Sequence, residues 1–98
     1  IIEEIQAAGG VRAWSPGDYD PDEDYQRMLW HWIKDNVDGE APVPIYLGCG
    51  AQDKFAPANA LLAEILPADR VVQIPGGHDY TTFKGLWDRF LESGIYLP

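Results

Sequence analysis

Two short loops hold the titratable side chains of most interest in this sequence. One reads Gly48-Cys49-Gly50-Ala51-Gln52-Asp53 and follows the apolar run Val43-Pro44-Ile45-Tyr46-Leu47; the other reads Pro75-Gly76-Gly77-His78-Asp79 and follows Arg70-Val71-Val72-Gln73-Ile74. The first run has the composition of a strand buried on both faces and the second reads as a strand too, and in open parallel sheets ligands gather beyond the strands' carboxyl ends. Neighbouring strands lie roughly 4.8 Å apart, so a carboxylate at Asp53 and an imidazole at His78 would be within bonding reach. A carboxylate on one ring nitrogen fixes the tautomer and leaves the other nitrogen free to deprotonate a hydroxyl or thiol. That makes His78 a candidate general base and Asp53 its orienting acid. Asp79 is adjacent to His78, but neighbouring side chains in a turn diverge, so Asp53 is the expected partner.

The helices and strands that flank these loops follow from periodicity. Residues 1–8 are helix-prone, and Gly9-Gly10 supplies a left-handed stop. Ser15-Pro16-Gly17-Asp18 reads as a turn within a loop from Val11 to Asp20. A helix is then expected with Asp20 as cap and Pro21 at its first position, carrying an apolar stripe of Tyr25, Met28, Leu29, Trp32 and Ile33 toward a core. His31 falls away from that stripe and reads as a surface residue. After a turn over Val37 to Pro42, the strand Val43–Leu47 opens with Pro44 near its start. Pro57 begins a second helix through Leu61, Leu62, Ile65 and Leu66, and Arg70–Ile74 forms the second strand. A last helix spans Thr81–Leu91 with Phe83, Leu86, Trp87, Phe90 and Leu91 on one side, ended by Ser93-Gly94. A helical crossover between two strands makes them parallel. The fold class is therefore α/β, with two parallel strands and about three helices. Two strands make a narrow sheet with open edges, so a missing neighbour is expected, from the same chain or another subunit. The opening Ile1-Ile2-Glu3-Glu4-Ile5, without an initiator Met, reads as the middle of a helix and hence as a fragment.

The order strand, Gly-x-Gly-x-x-Asp, helix, strand, Pro-Gly-Gly-His resembles the last two strands of the α/β-hydrolase fold. Gly76-Gly77-His78-Asp79-Tyr80 and Thr82-Phe83 are similar to the Gly-Gly-His-Asp-Trp and Thr-Trp pattern of esterase-like members, with aromatics Tyr80 and Phe83 where those have tryptophan. The likeness covers about residues 42–94, and the acid-to-histidine order matches the family's. It implies one partial domain over residues 1–98, part of a three-layer sheet, with 1–41 as the helical region before the penultimate strand and 42–98 as the last two strands with their helices. It also implies Asp53 and His78 as catalytic acid and histidine, and a small ester or acyl substrate in the intact protein. The family's nucleophile sits on a Gly-x-Ser-x-Gly elbow, and no such pentapeptide occurs here. Ser15 precedes a proline, Ser93 ends a helix, and Cys49 lies in the acid turn with the wrong spacing. The chain alone is thus expected to be inert. The absent nucleophile could be Ser, Cys or Asp, giving esterase, dienelactone-hydrolase-like or dehalogenase-like chemistry. The rival reading is a non-catalytic α/β interaction domain that oligomerises through its sheet edge.

Composition narrows the remaining classes. With 98 residues, 46% hydrophobic, and four Trp, five Tyr and three Phe, the chain has enough apolar material for a core. The formal charge of −9, from 16 acidic and 7 basic residues, repels a phosphate backbone, which argues against nucleic acid. No apolar run approaches the roughly 20 residues that span a bilayer, so no membrane association is expected. A single cysteine, Cys49, cannot form an internal disulfide, which fits a reducing, cytoplasmic setting. Asp18, Asp20, Asp22 and Asp24 are spaced like a calcium loop, but Glu23 stands where its glycine belongs and Leu29 where its glutamate belongs. These acids read as a solvated approach to a helix N-terminus, and no metal or cofactor is called for.

Overall fold

The structure, a computed structural model, describes residues 1–40 and 42–93. It comprises two compact units, Ile1–Ile45 and Tyr46–Pro98. Among the described residues there are four α-helices and one two-stranded parallel sheet, a mixed α/β architecture. No helix among them is long and apolar enough to cross a membrane.

The first unit holds α1 (Ile2–Ala8) and α2 (Tyr25–Val37). Helix α1 ends as its glycines require: Gly9 takes φ 98°, and its amide returns to the carbonyls of Ile5 and Gln6. Helix α2 starts later than Asp20 and Pro21 imply. The Asp20 carboxylate accepts the Asp22 amide, and its carbonyl accepts the amides of Glu23 and Asp24, which closes a separate turn. The cap falls to Asp24, whose Oδ1 accepts the Arg27 amide at 3.0 Å. The expected stripe is also corrected. Of its five members only Ile33 is buried, joined by Trp30, whereas Tyr25, Met28, Leu29 and Trp32 are exposed. Arg27 and Lys34 lie on the same side of the helix as Trp30. Arg27 binds Glu4 in a two-pronged pair at 2.6 and 2.9 Å, and Lys34 donates to the carbonyl of Arg12 at 2.7 Å. These polar anchors, added to the burial of Trp30, set the helix's rotation more firmly than the stripe does. His31 is half-buried rather than simply at the surface; its Nδ1 pairs with the Tyr19 hydroxyl at 2.7 Å.

The second unit is built on β1 (Leu47–Gly50) and β2 (Val71–Ile74), paired in parallel with Leu47 opposite Val71 and Gly50 opposite Ile74. Strand β1 is thus displaced from the expected Val43–Leu47. Asn36 captures both backbone groups of Val43, each at 2.8 Å, and Pro44 has no amide to offer a ladder, so pairing begins only where the chain meets Val71. The second strand begins one residue late because Arg70 belongs to a 3-10 turn, Ala68–Arg70. Helix α3 (Ala56–Ala63), with Pro57 in its first turn, packs on β1, and α4 (Tyr80–Ser93) packs across both strands. Side chains alternate across the sheet. A β-carbon on Gly48 would meet Phe90 and Leu86, and Gly85 faces Ile74, which places α4 on the Gly48/Ile74 face. Cys49, Val71 and Gln73 line a cavity of about 540 Å³ with α3 residues Ala56, Ala60 and Ala63, on the other face. The core of this unit is Cys49, Leu61, Ile65 and Leu86; Trp87 and Leu91, expected on the inner side of α4, are exposed. Gly94, the expected helix stop, and Ala41 of the expected turn lie outside the described residues.

Candidate active site

Beyond the carboxyl ends of β1 and β2 the ladder continues into the loops. The Ala51 amide donates to the Ile74 carbonyl at 2.7 Å, and the Gln52 amide to the Gly76 carbonyl at 2.9 Å. The Gln52 side chain then accepts the Gly76 amide through Oε1 at 2.6 Å. This close seam needs glycine on both sides. A β-carbon on Gly50 would stand 2.2 Å from the Gly76 oxygen, and Gly76 itself has φ 130° with Thr82 against its α-carbon.

The seam brings Asp53 and His78 together. Asp53 Oδ2 and His78 Nδ1 are 2.9 Å apart, the reach of a charge-assisted hydrogen bond. The other carboxylate oxygen, Oδ1, accepts the Phe55 amide at 2.8 Å, so both oxygens of a side chain only 4% exposed are satisfied. The Phe55 amide does most to hold the Asp53 carboxyl below its usual range; burial opposes it and the His78 contact reinforces it. Asp53 is therefore an ionised acceptor. His78 in turn keeps 43% of its side chain exposed, and its Nε2 has no hydrogen-bond partner among the described residues. With Nδ1–H donated to Asp53, Nε2 carries the free lone pair.

Asp79 does not reach the imidazole as a hydrogen-bond partner. Its Oδ1 accepts the Thr82 amide at 2.8 Å and caps α4, which with the Thr82 hydroxyl lowers its carboxyl below the ordinary range. Cys49 is buried, and burial, aided by the Asp53 charge, pushes its thiol upward, away from a reactive thiolate. Asp20 and Asp24 are committed to backbone amides, and among the described residues no group of three His, Cys, Asp or Glu side chains could hold a metal ion.

Compared with known proteins, the chain matches no family model, no curated protein and no solved structure. Gln52 and Phe55 were not legible in the sequence as participants, and Phe83 was expected only as an aromatic on one side of the last helix. Gln52 ties the two loops, but its side-chain role depends on a distance that spacing does not encode. Phe55 and Phe83 both contact the His78 ring edge to face, with centroids 5.0 and 4.8 Å away. The position of Phe55 two residues after the acid is the only local signal for the first; the second is five residues past the histidine, one helical turn into α4. The cavity beside α3 is separate from this site, for neither Asp53 nor His78 lines it.

Proposed function

We propose that Asp53 and His78 are the acid and histidine of an α/β-hydrolase-type, esterase-like site that hydrolyses small ester or acyl substrates with a nucleophile from outside these 98 residues. The observation that supports it best is the 2.9 Å Asp53–His78 contact at the carboxyl ends of two adjacent parallel strands, with Nε2 left free. In that arrangement Nε2 takes the proton of the attacking nucleophile, and the ionised carboxylate stabilises the imidazolium that forms. The same nitrogen then returns the proton to the leaving group. Acid and base are separated by environment: Asp53 is satisfied and kept ionised, whereas His78 is exposed enough to meet a substrate.

The test is His78→Ala in the encoded protein, followed with a short-chain nitrophenyl ester. A loss of about 10³-fold or more in turnover is expected; turnover near the parent level would remove the assignment. A second reading, an interaction module without catalysis, draws on the open edges that a two-stranded sheet leaves on each side. It predicts a concentration-dependent oligomer whose mass is unchanged by His78→Ala and abolished by a proline in β1 at Cys49, with no ester turnover in any form.

A further inference from the structure

We infer that Phe55 and Phe83 are positioning residues for His78, holding the plane of the imidazole together with Asp53, which also sets its tautomer; the inference rests on the acid–histidine reading above. The hydrogen bond at Nδ1 constrains the ring at one atom beyond its tether to Cβ, and its tolerance in length and angle still lets the imidazole rock. His78 is on a loop and 43% exposed, so burial does not immobilise it. What remains is the pair of aromatic contacts. Phe55 meets the imidazole at 77° and Phe83 at 89°, both close to the perpendicular geometry that aromatic quadrupoles favour. The two rings come from different elements, the start of α3 and the first turn of α4, so together they restrict more than one rotation.

Both rings are themselves anchored at the backbone. The Phe55 amide is the donor that binds Asp53 Oδ1, so one residue steadies the carboxylate through its N–H and the imidazole through its ring. The Phe83 amide donates to the Asp79 carbonyl at 3.0 Å, in the turn that Asp79 also caps. Neither phenylalanine is spent on a hydrophobic core: they are 49% and 41% exposed. Their role is orientation, because neither offers a group that could exchange a proton.

The test uses the full protein with ¹⁵N-labelled histidine, read by long-range ¹H–¹⁵N correlation, with His31 as an internal reference. The parent should show His78 predominantly as the Nδ1–H tautomer with a slowly exchanging Nδ1 proton. Phe55→Leu and Phe83→Leu keep apolar bulk but remove the ring contacts. Each should accelerate exchange of that proton about tenfold and average the His78 ring couplings, with the His31 signals unmoved; Phe83→Trp should restore the parent pattern. Because both positions are partly exposed, either variant reports even if the other perturbs folding. A parent-like tautomer and exchange rate in both leucine variants would overturn the positioning role while leaving the acid–histidine pair intact. Absence of the Nδ1–H tautomer in the parent would instead remove the pair, and the positioning role with it.

Discussion

Substituting Gly50 by Ala probes the physical basis of the site more directly than removing one of its titratable side chains. The new β-carbon would lie 2.2 Å from the Gly76 oxygen, 2.8 Å from its carbonyl carbon and 2.9 Å from the Gly77 oxygen. All three are backbone atoms, so no side-chain rotation relieves the overlap. Reaching an ordinary contact requires the loops to separate by about 1 Å at that point. The Gln52–Gly76 bond, at 2.9 Å, tolerates only about half of that before it ceases to be a hydrogen bond, and the Asp53–His78 contact has the same slack. Overpacking at the low end of its range, about 1 kcal/mol because the loops can part, and two lost bonds at about 1 kcal/mol each together give about 3 kcal/mol. With a urea slope of about 1.5 kcal/mol per molar, the midpoint for the second unit should fall by about 2 M. Hydrogen exchange should show the Ala51 and Gln52 amides losing protection first. Gly77→Ala is the control: its β-carbon would find nothing nearer than 3.6 Å, so the midpoint should move by no more than about 0.3 M. A Gly50→Ala protein with the parent midpoint and parent protection at these two amides would refute the seam, and with it the account of how the two loops meet.

Glu4 offers a pH test. Its hydrogen bonds to Arg27, then to Trp14, lower its carboxyl from an ordinary 4.5 to about 2. A depressed carboxylate lends stability that is full above 4.5 and is lost as pH falls toward 2, so the link between α1 and α2 should loosen over that window. In an NMR titration of the Glu4 side chain, Arg27→Lys should move the midpoint back toward 4.5, because an ammonium cannot reproduce the two-pronged pair; a Glu4 midpoint already near 4.5 in the parent would contradict the contact. Asp79→Ala should cost about 1 kcal/mol through loss of the α4 cap, seen as a lower urea midpoint. The His78 tautomer should be unchanged in that variant; loss of the Nδ1–H tautomer there would make Asp79, not Asp53, the histidine's partner.

Local chemistry was enough to determine the helix stop at Gly9, the succession of helices and strands in residues 42–93, and the delivery of one carboxylate and one imidazole by consecutive strand ends. These follow from backbone preferences and from the rule that a helical crossover leaves its strands parallel, and each depends on neighbours a few residues away. The phase of β1, the rotation of α2 and the closeness of the two loops did not follow. A strand exists only where a partner's amides face it. Val43 is apolar enough for one, yet Asn36 takes its backbone, while Gly48 and Gly50, which look like a stop, pair with β2 because Phe90 and Gly76 need the room their missing side chains leave. Likewise, a stripe of apolar side chains states what a helix could bury. Which edge α2 does bury is decided by ion pairs and carbonyls reached across more than twenty residues of chain. Asp53 and His78 were visible as types and Phe83 as an aromatic of α4; the meeting of Phe55 and Phe83 with the imidazole was not, since contact between residues 55, 78 and 83 is created only when two loops and a helix N-terminus converge in space.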